Sequence, residues 1–253
     1  MNPLFENHWN SPTRRMVDRL PHEVRRSMYR ILRPNFFRYL QFMRTPDPSG
    51  KGNRFSEFIR TKSLFVHIPK CAGNTVREAI YEGRGASHTT MHNYSIAFSA
   101  AEFRSFFKFV VVRHPFERLY SAYRFLYAGG KHSTDARVAK DYVRPFPTFE
   151  RFVMDGLTEE AARHVIHLKP MHHFAEICPG WMPLDEVFDL DDLSNGLAKV
   201  AVRLGSSLGA LPWENRTLGT RSDPRDAFSD EMREKASEFY RRDLELFGFS
   251  ERQ

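Results

Sequence analysis

The sequence predicts an α/β fold: a central parallel sheet flanked by helices, preceded by an N-terminal helical extension. Two apolar runs, residues 63–68 (Ser63-Leu64-Phe65-Val66-His67-Ile68) and Phe107–Val112, each pass through a tight turn into a helical pattern. Near-continuous apolar strands that feed helices are what a parallel sheet covered on both faces requires. The length of 253 residues, 41% of them hydrophobic, suits one large domain with an appendage.

The appendage is expected over residues 1–62 and the main domain over 63–253. Val24, Met28, Ile31 and Leu32 fall at helical spacing, with Arg25, Arg26, Arg30 and Arg33 elsewhere on the turn. Pro21 suits a first helical turn, and Pro34 should end or kink the helix. The cluster Phe36, Phe37, Tyr39, Leu40 and Phe42 needs a surface to bury against, and the polar run 45–53 reads as a linker.

Beyond it come a strand over 63–68, a loop, a helix over 75–81, a strand over Phe107–Val112 and a helix over 116–127. A third strand is expected over 186–190, followed by a helix with Leu193, Leu197, Val200, Ala201 and Leu204 on one stripe. The last helix spans Asp230–Phe247.

The net charge of +7 is unevenly placed, because residues 1–62 hold 13 Lys and Arg against 5 Asp and Glu. That segment could meet an anionic surface or the membrane periphery. A solvated Arg-rich helix packed on the body would have the same composition. The opening residues lack the basic start and apolar core of a secretory signal, and no stretch approaches the roughly 20 apolar residues of a membrane span. With only Cys71 and Cys178, at most one disulfide is possible. A cytoplasmic protein is expected.

Two segments carry chemistry. Pro69-Lys70-Cys71-Ala72-Gly73-Asn74-Thr75 joins a buried strand to a helix, so unpaired N–H groups and the helix dipole favour an anion there. Gly73 allows close backbone approach, Lys70 adds a positive charge, and Asn74 and Thr75 can cap the helix or bind oxygens. The loop is P-loop-like, but its Lys precedes the Gly and no Gly-Lys-Ser/Thr closes it. In the second segment Arg113 ends a strand, where open α/β sheets place ligands, and Ser121 follows eight residues later. Arg offers a planar, permanently charged fork for phosphate oxygens. Two such cradles suit a ligand with two separate phosphate groups.

Residues 65–75 and 109–123 together resemble the two PAPS-binding motifs of the PAPS-dependent carbohydrate sulfotransferases, including the heparan sulfate 2-O-sulfotransferase-like and bacterial members. Weaker likeness extends to 187–193, 211–215 and 239–249, so that it covers about 63–249. The resemblance implies that the first motif (Lys70, Cys71, Ala72, Gly73, Asn74, Thr75) holds the 5′-phosphosulfate of PAPS. It implies that Arg113 and Ser121 hold the 3′-phosphate, that PAP is the product, and that no metal is required. Cys71 and Asn74 stand where Thr or Ser is more usual in the family. Transfer in the family is a direct displacement, so Cys71 is not expected to act as a nucleophile.

The acceptor hydroxyl must lose a proton, which a side chain with pKa near 7 does best. The family places a His between the two motifs. Both His88 and His92 meet that description; His88, in its His-Thr-Thr setting, matches the bacterial members better. The resemblance also suggests acceptor contacts near His167, with Arg216 and Arg221 in a basic loop that could close over the nucleotide. The expected acceptor is a glycan or glycolipid hydroxyl, and no nucleic acid partner is expected. A nucleoside-triphosphate-dependent phosphotransferase would want a Gly-Lys-Ser/Thr loop and a metal-holding Asp. A non-enzymatic binder of anionic polymers would act through the extension alone. Neither accounts for both motifs.

Overall fold

The computed structural model describes residues 12–48, 54–205 and 224–250. Arg216, Arg221 and the stretch 211–215 lie outside the described residues. In chain order the first elements are α1 (Pro12–Asp18), α2 (His22–Leu32), α3 (Pro34–Met43), α4 (Ser56–Thr61), β1 (Ser63–Val66) and α5 (Gly73–Tyr81). They are followed by α6 (Met91–Ala97), α7 (Ala100–Ser105), β2 (Phe107–Val112), α8 (Pro115–Tyr127), α9 (Ser133–Tyr142) and α10 (Phe149–Arg151). The last are α11 (Glu159–His164), α12 (His172–Ala175), β3 (Glu186–Asp189), α13 (Leu193–Leu204) and α14 (Asp230–Phe247).

This is the α/β architecture expected, with a three-stranded sheet in the order β1-β2-β3. β1 and β2 pair in parallel, from Ser63 opposite Phe107 to Val66 opposite Val110. A parallel pair needs a crossover, supplied here by α5, α6 and α7. The loops that leave the C-terminal ends of the two strands are those read as phosphate cradles.

The chain divides into two compact units. One takes in the described residues of Met1–Ile68, Ala72–Val111 and His173–Trp213; the other takes in those of Pro69–Cys71, Val112–His172 and Glu214–Gln253. The first contains the sheet and α1 to α7. Its core joins Leu64, Phe65, Val66 and Phe109 to an aromatic group of Phe55, Phe58, Tyr81, Tyr94 and Phe98. The second is helical, with Phe116, Leu119 and Leu126 of α8 packed with Phe152, Val165, Met232 and Tyr240.

Most helix boundaries fall within a few residues of expectation, with two informative departures. α5 begins at Gly73 rather than Thr75, with Ala72 in the N-cap position. Asn74 and Thr75 are therefore inside the first turn, where they make no capping bond. In α2 the apolar stripe does not face inward: Arg25 and Tyr29 are buried, while Val24, Ile31 and Leu32 are exposed. The reason is polar docking. Arg26 of α2 donates to the carbonyl of Ile96 at the C-terminal end of α6 and His22 meets that of Phe98, while Gln41 and Arg44, in and just after α3, donate to Ala97. Pro34 acts as expected, ending α2 and opening α3.

Candidate active site

In the second unit, the start of the first loop is held from below by Arg118. This fully buried side chain donates to the carbonyls of Pro69 at 3.1 Å, His167 at 3.2 Å and Lys169 at 2.6 Å. Cys71 is buried against Met171, with the sulfurs 4.0 Å apart. Lys70 has a left-handed backbone, φ 69°. Its Nζ lies 4.2 Å from the centre of the Phe125 ring, a cation–π contact. Burial lowers the Lys70 pKa to about 8, and the positive charge of Arg113 pushes the same way.

α8 supplies a partner to each of these two cations. Arg113 donates through Nε to Glu117 at 3.2 Å, and Glu117 also faces Arg225 at 3.5 Å. The terminal nitrogens of Arg113 make no hydrogen bond among the described residues. Glu117, Ser121 and Phe125 follow at four-residue intervals, so they share one helix face. Phe125 supports Lys70 and lies 5.1 Å from the ring of His167. One face of one helix therefore gathers Lys70, Arg113, Ser121 and the buried His167. Asp243, itself buried, accepts from the backbone N–H of Met171 and His172 and pairs with the His172 ring at 2.7 Å.

In the first unit, the helix that follows the loop has no side-chain cap and no acidic residue in its first turn. Its leading N–H groups favour an anion. Ala72 adopts φ 51°, and left-handed residues at alternate positions are characteristic of anion-binding nests. Gly73 has a reason that its sequence position did not reveal. A Cβ at this residue would fall 1.9 Å from the His67 ring, so the glycine makes room for that buried imidazole. The His88 ring meets His67 edge-on, with centroids 4.6 Å apart. His88 has φ 56°. Among the described residues, three of the five non-glycine residues with positive φ are Lys70, Ala72 and His88. Backbone strain thus concentrates on the residues singled out for chemistry.

His92 is placed differently. It is buried, with Nε2 2.8 Å from Asp18 Oδ1 and 3.1 Å from the Tyr29 hydroxyl; Tyr29 also donates to Asp18 at 2.9 Å. Burial lowers the His92 pKa, against the pull of Asp18. That ring ties α6 to the N-terminal helices and presents no open nitrogen to an acceptor.

Sequence reasoning missed His67, Glu117, Phe125, Arg118 and Arg225. The four-residue spacing of 117, 121 and 125 was visible. Nothing marked Phe125 as the platform for Lys70, since an aromatic on an amphipathic helix ordinarily signals core. His67 stood at the end of a strand and could have been noticed as a polar group among apolar neighbours.

An α/β chain with an uncapped helix start after β1 and a cluster of cations along α8 is the class of protein these elements define. The model of the sulfotransferase family matches residues 53–250. The chain belongs to that family, and with it to the enzymes that transfer sulfuryl groups. No curated protein and no solved structure matches it.

Proposed function

We propose that this protein transfers the sulfuryl group of PAPS to a hydroxyl of a carbohydrate or glycoconjugate. The observation that carries the reading is the α8 face. It collects the cation of one predicted cradle and the Arg and Ser of the other, as a ligand with two anionic groups demands. The donor is supported by the residues of the second unit: Lys70 is a buried cation suited to the 5′-phosphosulfate, and the open terminal nitrogens of Arg113 with Ser121 suit the 3′-phosphate. The carbohydrate acceptor rests on the likeness of the two motifs to the carbohydrate sulfotransferases.

Bound PAPS supplies an activated sulfuryl group, whose bond to the 5′-phosphate breaks as the acceptor oxygen bonds to sulfur. His88 takes the proton of the acceptor hydroxyl. Its strained backbone and its contact with buried His67 hold the ring in one orientation. Lys70, in its charged form, faces the negative charge that grows on the departing phosphate, an interaction stronger in the transition state than before it. His167, beside Phe125, contributes to acceptor binding. Residues 63–253 form the transferase domain, which works in the cytoplasm.

The test is a thermal melt. PAP should raise the melting temperature without added Mg²⁺, because a ligand that binds only the folded state stabilises it. Stabilisation by ATP with Mg²⁺ but not by PAP would reject the reading.

A further inference from the structure

α2 is amphipathic, yet it docks by its polar side. Arg25 donates to the carbonyls of Asp18 and Leu20 and lies 4.9 Å from the centre of the Trp181 ring. Tyr29 bonds Asp18, Arg26 bonds the carbonyl of Ile96, and the one acid of the helix, Glu23, accepts from the N–H of Ala100. These bonds fix which way the helix faces. Its apolar stripe is turned outward, with Val24 48% exposed, Ile31 71% and Leu32 50%. The three stand at i, i+7 and i+8 on one face, with half-buried Met28 between them.

Scattered exposed apolar side chains are ordinary, but a stripe on a helix whose opposite side is bonded down is not. Its surroundings say what covers it. Arg30 and Arg33, at the C-terminal end of the same helix, are exposed, as is Arg19 just after α1. None of the three forms an ion pair among the described residues. A second copy of the chain docking face to face would set these arginines against their own equivalents. An anionic bilayer has no such conflict: its headgroups meet the arginines and its acyl boundary takes Val24, Ile31 and Leu32. We propose that the outward face of α2 docks the protein on an anionic lipid surface, lying in the interface without crossing it. Among the described residues, no helix is long and apolar enough to cross a membrane.

The experiment sediments the full chain with phosphatidylcholine vesicles, with and without phosphatidylglycerol, at low and high salt. Binding should require the anionic lipid and weaken with salt. An Arg near such a surface contributes about fivefold, so Arg30→Gln with Arg33→Gln should cut binding roughly 25-fold. Ile31→Gln with Leu32→Gln should cut it about tenfold or more, because both signals are needed for stable anchoring. All four positions are exposed, so melting temperatures should match wild type, which confirms that the variants fold. Absence of binding by the wild type, or binding by either double variant as tight as the wild type's, overturns the proposal. So does a wild-type dimer that Ile31→Gln with Leu32→Gln makes monomeric, or binding that appears only when residues 1–11 are removed.

Discussion

Replacing Lys70 with Met should make the free protein more stable while weakening its grip on the donor. In the folded chain the ammonium is buried over Phe125, and that burial, with the positive charge of Arg113 acting the same way, lowers its pKa from 10.5 to about 8. At about 1.4 kcal/mol for each pH unit, that gap corresponds to about 3 kcal/mol held against the charged form. The cation–π contact returns about 0.5–2 kcal/mol, and partial exposure screens the rest, so a gain of about 1–3 kcal/mol is expected at pH 7. The sign follows from proton binding. Below pH 8 the amine is charged in both states, and the folded state bears the whole cost. Between pH 8 and 10.5 the unfolded chain binds more protons, so the Lys70 contribution to wild-type stability rises with pH. The advantage of Lys70→Met should therefore shrink through that window and vanish above it. Denaturant titrations of both proteins at a series of pH values measure this directly, since the other ionisations cancel in the difference. In parallel, the variant should bind PAP more weakly by calorimetry. Should Lys70→Met be less stable than wild type at pH 7, or its advantage be independent of pH, the account of Lys70 as a strained, ligand-awaiting cation is wrong.

Arg113→Ala should weaken PAP binding by about 2 kcal/mol and erase discrimination against a ligand that lacks the 3′-phosphate; a variant that still discriminates as wild type does would reassign that phosphate. Gly73→Ala should destabilise by about 1–3 kcal/mol through the clash with His67. In a double-mutant cycle with His67→Ala, the two losses should sum to at least 1 kcal/mol more than the double variant shows; simple additivity would mean that the ring does not demand the glycine. His88→Ala should retain PAP binding and lose transfer by about 10²-fold or more. His92→Ala should instead cost about 1–3 kcal/mol of stability by removing one of the partners of buried Asp18, which keeps Tyr29 and Arg14, with transfer per folded molecule preserved. If the activities reverse, His92 is the base.

Much of the fold was legible because its signals are local. The apolar runs that become Ser63–Val66 and Phe107–Val112 read as buried strands, and Pro34 could be read as the end or a kink of a helix. The loop from Pro69 to Thr75 and the Arg at the end of β2 were likewise readable, since a strand followed by a helix start concentrates N–H groups whatever the rest of the chain does. The orientation of α2 was not. Its stripe of Val24, Ile31 and Leu32 predicts an inward face, and only distant partners, the carbonyls of Ile96 and Phe98 among them, decide that the polar side is bonded instead.

The same division holds in the site. Sequence spacing presented His88 and His92 as near equals. What separates them is long-range: Asp18 and Tyr29 enclose His92, whereas His88 stands against His67, whose ring in turn makes Gly73 necessary. Motif chemistry by itself determined which residue types could hold two phosphates. Tertiary structure alone decided that Phe125 of α8 would lie against Lys70 and that Lys70 would stand within the field of Arg113. The physical reason is that anion affinity at a helix start is a property of the local backbone. The charge state of a buried cation depends on every group that packs around it, and no segment of sequence contains that list.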